Sequence, residues 1–222
     1  MTRTAIVVPV KEPAQAKSRL RPVLGERERR GLVAAMLGDV LRAVPTDPDR
    51  CRVFVVATAQ VEVPRGVTRI TEPASRGYNA AIDTALADPA VRRARSMLVL
   101  PADLPLATSE DIDLLIAAPP VPGMRIAPDR DGDGTNALLL SPPGLVATGF
   151  GPESSARHRA SGEAAGVSVE TVIRPGLAFD IDTPQDLADF CACAGRTGTH
   201  RYLRQTGVAA RLAGRWGLRE RG

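Results

Sequence analysis

The sequence predicts an α/β fold in which a mainly parallel, mixed sheet carries helices on both faces. Two observations carry that prediction. Apolar runs such as Ala5-Ile-Val-Val-Pro-Val10 and Met97-Leu-Val-Leu100 are continuous rather than alternating, the pattern of strands buried on both faces of a parallel sheet. Between such runs lie stretches with apolar residues at helical spacing, punctuated by Pro and Gly, so the order is strand, helix, strand through the first half. The length, 222 residues, suits one domain of this kind, and a chain of that size buries roughly 70% of its unfolded surface without staples.

In chain order, strands are expected near residues 4–10, 52–58, 67–71, 96–101, 123–128, 136–141 and 168–173. Helices are expected near 26–43, 76–88, 109–118, 154–165 and 184–193. Two helix starts carry visible caps. Thr108-Ser-Glu-Asp111 sets a hydroxyl three residues before an acid, and Thr183-Pro-Gln-Asp186 adds a proline at the first helical position. Such a sheet is Rossmann-like, and its ligands bind beyond the carboxyl ends of the strands. Residues 1–194 read as the domain and 195–222 as a basic extension. There Tyr202, Leu203, Val208, Ala209, Leu212 and Trp216 recur at near-helical spacing among arginines, which predicts an amphipathic helix docking on the body or on a second subunit.

Composition excludes several classes. The formal charge of +4 is unevenly placed: residues 195–222 hold seven arginines and one acid, a net +6, which leaves the body at −2. The body is therefore not basic, only the tail could partner polyanions or acidic surfaces, and nucleic acid is not the expected ligand. No run approaches the ~18 apolar residues of a membrane span, and the opening Met-Thr-Arg-Thr lacks a signal-peptide core, so a cytoplasmic location is expected. Cys51, Cys191 and Cys193 are odd in number and lack a C-x-x-C pair, as reduced structural thiols do.

The chemistry is expected at strand ends. Of 29 cationic side chains only Lys11 and Lys17 are lysines, and both lie in the loop leaving the first strand. An ammonium is a compact charge on a flexible stem, suited to following phosphate oxygens, so Lys11, Lys17 and the nearby Arg19 form a candidate phosphate loop. Asp103 closes the fourth strand between two prolines, and Phe179-Asp-Ile-Asp-Thr-Pro184 points Asp180 and Asp182 to one side. Such acids suit Mg²⁺, though an Asp at a strand end also serves as a cap or turn former. Asp129-Arg-Asp-Gly-Asp-Gly134 opens like a calcium loop, but Leu140 stands where a bidentate Glu is required, so it reads as a Gly-rich connection whose backbone, with Thr135 and Asn136, approaches an anion.

Phe150-Gly-Pro-Glu-Ser154 precedes a helix whose N-terminal donors, Ser154 and Ser155 make a candidate anion site, with Arg157 and His158 available for a second charge. His158 reads as a hydrogen-bonded histidine rather than a general base. In Thr71-Glu-Pro-Ala-Ser-Arg-Gly-Tyr-Asn79, Gly77 permits close approach of a flat ring, Asn79 is suited to a base edge, and Glu72 to the ring nitrogens of a purine such as guanine.

Five ordered motifs resemble one family: Pro9-Val-Lys11 with Ala16-Lys-Ser-Arg-Leu20, Leu100-Pro-Ala-Asp-Leu-Pro105, Ala127-Pro-Asp-Arg-Asp-Gly-Asp-Gly-Thr-Asn-Ala-Leu138, Phe150-Gly-Pro-Glu-Ser154 and Asp180-Ile-Asp-Thr-Pro184. Together they look like the 2-phospho-L-lactate guanylyltransferases of coenzyme F420 biosynthesis. The resemblance implies a GT-A-like nucleotidyltransferase fold, GTP as donor, a phosphoacid acceptor (phosphoenolpyruvate, 2-phospho-L-lactate or 3-phosphoglycerate) and Mg²⁺. By position it implies Asp103, Asp180 and Asp182 for the metal; Thr135, Gly151 and Ser154 for the phosphoacid; Lys11, Lys17, Glu72, Gly77 and Asn79 for the nucleotide; and Lys17, Arg19 and Asp103 for catalysis. Asp133 and the basic tail depart from the family pattern. A molybdenum-cofactor or sugar-phosphate nucleotidyltransferase, or a non-catalytic nucleotide-binding module, stays open, as does a homodimer.

Overall fold

The computed structural model describes residues 4–12 and 16–216. Residues 13–15 of the lysine loop and 217–222 of the tail, with Arg219, Glu220 and Arg221, lie outside the described residues, as does the side chain of Trp216. Seven strands form one sheet: β1 (Thr4–Pro9), β2 (Cys51–Ala57), β3 (Thr68–Thr71), β4 (Ser96–Val99), β5 (Gly123–Pro128), β6 (Thr135–Ser141) and β7 (Ser168–Thr171). Their order is β3-β2-β1-β4-β6-β5-β7. Neighbours pair in parallel except β6, which runs antiparallel to both β4 and β5. The chain winds outward from β1 to β3 and returns to β4 on the other side of β1, which makes the β1/β4 boundary the switch point where such sheets bind ligands.

The continuous apolar runs feed both faces at once. Ile6 and Val8 of β1 join one core cluster, with Leu37 and Val40 of helix α1 (Glu26–Ala43) and Ile112 and Leu115 of α4 (Ser109–Ile116). Ala5 and Val7 join the opposite cluster, with Ile82 and Ala85 of α2 (Tyr78–Ala87) and Met124. Helix α5 (Ser154–Ala164) packs there too, with Gly162 so close to Met124 and Val169 that a Cβ would lie 2.5 Å from each.

All seven expected strands and five expected helices are present. Three further helices were too short for a periodic signal: a 3₁₀ turn at Ser18–Leu20, α3 (Pro89–Arg92) and α6 (Pro175–Ala178). Both expected capping boxes are formed, Thr108 with Asp111 at α4 and Thr183 with Asp186 at α7 (Pro184–Ala192).

The tail differs in detail from the single helix expected. It forms α8 (Gly198–Gln205) and α9 (Val208–Trp216), separated at Gly207, whose φ of 72° stops the first helix. Leu203, Val208 and Leu212 are buried in a third cluster with Leu32 and Met36 of α1 and Phe190 of α7. The cysteines are free, with Cys51 buried and Cys193 exposed. Among the described residues no helix is long and apolar enough to cross a membrane.

Candidate functional site

The sheet delivers the predicted residues to one rim. Lys11 follows the end of β1 and Asp103 the end of β4; with Pro9, Lys17, Tyr78 and Asp182 they line a single cleft. Its centre is an ion triplet. Lys17 Nζ donates to Asp103 Oδ2 at 2.6 Å and to Asp182 Oδ1 at 2.7 Å, with the lysine side chain only 8% exposed. Lys17 caps the 3₁₀ turn with φ 53° and ψ 42°, a left-handed conformation that costs a non-glycine residue of order 1 kcal/mol. Burial by itself would lower the lysine's affinity for its proton. Asp103, then Asp182, outweigh that and raise its pKa above the ordinary lysine range.

The lysine loop thus places one cation inward and leaves two others outward. Lys11 and Arg19 are exposed, and both act on Asp182, whose carboxyl is held below its usual value; burial opposes this, while Lys17 first and Arg19 and Lys11 after it prevail.

Asp180 sits in the same acidic corner. Its pKa is pushed up to about 6, first by burial and then by the charge of Asp103, against the hydrogen bond it accepts from Asn136 Nδ2 at 3.3 Å. Asn136 owes that reach to a β-bulge: Ala127 pairs with Ala137 but Pro128 with Thr135, so Asn136 is left over in the register. Its amide also donates to Leu177 O at 3.0 Å. The α7 cap fixes the far end of the segment, because Asp186 Oδ2 accepts from Asp182 N at 3.1 Å and Thr183 N at 2.7 Å. Arg130 ties the β5–β6 turn to the same place, pairing with Asp186 at 2.7 Å while its guanidinium lies 4.5 Å from the Phe179 ring centroid.

Among the described residues no three His, Cys, Asp or Glu side chains converge closely enough to cage an ion unaided. The donor set nevertheless fits a divalent cation in part. Two carboxylates already meet on one positive charge, and a third, Asp180, is half-buried beside them with its ionised form disfavoured by desolvation and by Asp103.

The predicted acceptor residues stand together on the other side of β4. His158 joins Thr135, its Nδ1 3.0 Å from Thr135 Oγ1, and Ser154 Oγ donates to that same oxygen at 3.2 Å. Ser154 is fully enclosed, its N–H spent on Gly151 O, so it meets any ligand through Thr135 rather than directly. Gly151 is exposed with φ 135°, a conformation that disfavours other residues.

The anion site expected at the start of α5 is filled by the chain itself. Asp133 Oδ2 accepts from Glu153 N at 3.0 Å and Asp133 O from Ser155 N at 3.0 Å, satisfying donors that would otherwise be open. Arg157 donates to Pro152 O and Gly149 O, and the His158 ring is neutral, so neither supplies the second charge.

At the nucleotide end, Glu72 is 4% exposed and its Oε1 has no hydrogen-bond partner; burial raises its pKa, with Arg76 opposing. Thr58 Oγ1 is similarly unpartnered. The two residues follow β2 and β3, and Glu72 N donates to Ala57 O, so these orphaned groups end adjacent strands. Gly77 precedes α2 with φ 106° and open space where a Cβ would project. Asn79 behaves differently from a free base reader: its Nδ2 donates to Phe150 O at 3.1 Å and its Oδ1 accepts from Phe150 N at 2.8 Å.

Sequence reasoning passed over Tyr78 as a site residue and took Asn136 for an anion donor, whereas its amide donates to Leu177 O and Asp180. The buried Tyr78 hydroxyl has no partner and faces the cleft, its pKa raised by burial and then by Asp103. The signal available for Tyr78 was its place beside Gly77; the bulge that turns Asn136 leaves no mark in the sequence.

Similar proteins share this frame. The chain is 37% identical over 195 residues to a phosphoenolpyruvate guanylyltransferase of Sphaerobacter thermophilus, covering 86% of this chain and 94% of that one. To the protein of the same name from Rubrobacter xylanophilus it is 41% identical over 194 residues, with 85% and 94% covered. Among solved structures, a protein from Desulfovibrio desulfuricans described as a nucleotide-diphospho-sugar transferase superposes with a TM-score of 0.72 at 16% identity over 96% of this chain and 99% of its own. A Mycobacterium tuberculosis protein solved with manganese gives 0.52 at 20% identity, over 85% and 97%. At such identities these two show the fold alone. The family model described as guanylyl transferase, CofC-like, matches residues 4–216. Spanning all seven strands, the cleft between them and both tail helices, that match makes the chain a member of the CofC-like guanylyl transferase family.

Proposed function

We propose that the protein transfers GMP from GTP to the phosphate of a small phosphorylated carboxylic acid, phosphoenolpyruvate above all, and releases pyrophosphate, as a step of coenzyme F420 biosynthesis. The relatives' names support the acceptor. The observation that carries the site is the convergence of Asp103 and Asp182 on one positive charge at the β1/β4 boundary, with Asp180 packed beside them.

The reaction joins two anions. An acceptor phosphate oxygen forms a bond to the α-phosphorus of GTP, the bond from that phosphorus to the bridging oxygen breaks, and pyrophosphate leaves with the electron pair. A phosphate monoester is already ionised near neutral pH, so no general base is required, in keeping with a His158 ring that is buried and neutral. Asp103, Asp180 and Asp182 would hold Mg²⁺, which when bound neutralises and aligns the attacking and leaving oxygens. Lys11, exposed on the cleft wall, and Arg19, exposed and acting on Asp182, draw the triphosphate in, and Lys17 supplies a preorganised charge inside the cleft. Glu72, with its orphaned oxygen, accepts from the guanine ring nitrogens. Thr135 and the backbone of Gly151 receive the phosphoacid.

Pyrophosphate release with GTP and a panel of phosphoenolpyruvate, 2-phospho-L-lactate and 3-phosphoglycerate, with and without Mg²⁺, tests the reading. Release is expected with GTP and Mg²⁺ only, and Asp103→Asn is expected to lower turnover by a factor on the order of 10²–10³ or more with the fold intact. Release with ATP or CTP but not GTP sinks the guanine assignment; full activity in the Asp103 variant removes that residue from the metal site.

A further inference from the structure

His158 is a histidine on α5 that the reaction does not consume as a base, yet its surroundings are specified at every polar atom. It is 1% exposed. The Gly149 N–H can only donate, so Nε2, 3.0 Å away, carries no hydrogen. A neutral ring must then hold its proton on Nδ1 and donate to Thr135 Oγ1 at 3.0 Å. Ser154 Oγ donates to the same oxygen at 3.2 Å. Two incoming bonds use both lone pairs of Thr135 Oγ1, and among the described residues its own hydrogen meets no acceptor. Burial, then Arg157, lower the ring pKa to about 4, so the arrangement persists through the neutral range.

The ring is also fixed in place. Phe150 packs edge-on against it at a centroid distance of 5.0 Å, Tyr78 packs edge-on against Phe150 at 5.0 Å, and Asn79 clamps the Phe150 backbone from both sides. The chain of contacts runs from the aspartate cleft to the acceptor residues.

We propose that His158 is a positioning residue: it orients Thr135 as an obligate hydrogen-bond donor, so that the acceptor site receives an ionised oxygen and rejects one that must itself donate. This rests on the guanylyltransferase reading with Thr135 on the acceptor side. His158 touches no substrate, because Thr135 stands between.

Two substitutions separate the ring's two jobs. In His158→Gln the amide falls near Nε2, which keeps a partner for Gly149 but leaves Thr135 without its donor; in His158→Asn the amide nitrogen falls near Nδ1 and retains that donor. H158Q is expected to raise KM for the phosphoacid about tenfold or more, the loss of one hydrogen bond to a charged group, with KM for GTP within about twofold of the parent. H158N is expected to recover most of the loss. Nitrogen NMR of the unsubstituted protein at neutral pH is expected to show Nδ1 protonated and Nε2 bare. A parental acceptor KM in H158Q, an equal rise in both KM values, or a ring protonated at Nε2 overturns the inference. If the unsubstituted protein turns over GTP with none of the phosphoacids, the guanylyltransferase reading falls and takes this one with it, whereas turnover without the KM split defeats the positioning role alone.

Discussion

Asp180 is held where its charge is unwelcome. Its folded pKa of about 6 lies above the ordinary 3.8, so the folded protein binds more protons than the unfolded chain between those values, and stability falls as pH rises from about 4 to about 6. Asp180→Asn is expected to raise the thermal midpoint of the ligand-free protein at pH 7.5, by on the order of 1 kcal/mol of stability, to lose that advantage below pH 4, and to lose turnover. A lower midpoint at pH 7.5 refutes the account. This acid was legible in the sequence because alternation set it beside Asp182 in a short motif. The partners that define His158 were not: Thr135 and Gly149 lie 23 and 9 residues away and meet the ring only through the packing of α5. Asn79 misled for a related reason, since an amide suited to a base edge suits a backbone peptide equally well, and sequence does not say which arrives first.

Helix ends decide much of the architecture, and two are closed by carboxylates from elsewhere in the chain. Asp39 of α1 accepts from Gly198 N at 2.7 Å, Thr199 N at 2.7 Å and Thr199 Oγ1 at 2.6 Å, which pins the start of α8. Burial alone would raise its pKa, but the Thr199 and Gly198 donors and Arg42 hold it below 3.8. The folded value is the lower one, so this stabilisation is complete above the unfolded pKa and is lost as pH falls through the folded pKa, below about 4. Amide exchange in α8 is expected to accelerate in that window, and Asp39→Asn to show fast exchange already at pH 7. Unchanged protection in the variant excludes the pin. Gly31 of α1 makes the complementary case. Gly to Ala in a helix ordinarily gains up to about 1 kcal/mol, yet a Cβ here would lie 2.2 Å from the Tyr202 hydroxyl, which donates to Glu28 O at 3.0 Å. Overpacking wins, and Gly31→Ala is expected to destabilise by about 1–3 kcal/mol in denaturant unfolding.

For the molecule as a whole, the strand positions were readable because continuous apolar runs survive any sheet order, whereas direction was not, since the apolar run Ala137-Leu-Leu-Leu140 of β6 reads no differently from Ala5-Ile-Val-Val8 of the parallel strand β1. The tail shows the same limit: its apolar spacing announced a docking face, but not that Leu203, Val208 and Leu212 complete a cluster begun by Leu32 and Phe190. We propose that residues 195–216 belong to the folding unit. A chain ending at 194 is expected to unfold at lower denaturant and to aggregate through that uncovered cluster; a midpoint equal to the full chain's refutes it.

The reversed direction of β6 has a consequence for how new acceptors arise. Because that strand begins where β4 ends, the turn at 129–134 reaches the rim as a hairpin tip, whereas Lys11 and Asp103 follow β1 and β4, parallel strands joined through helical crossovers. Loop exchange at that tip and at 149–154 is expected to alter acceptor preference, and to spare the donor half where Arg130 and Phe150, which hold Asp186 and Asn79, are kept.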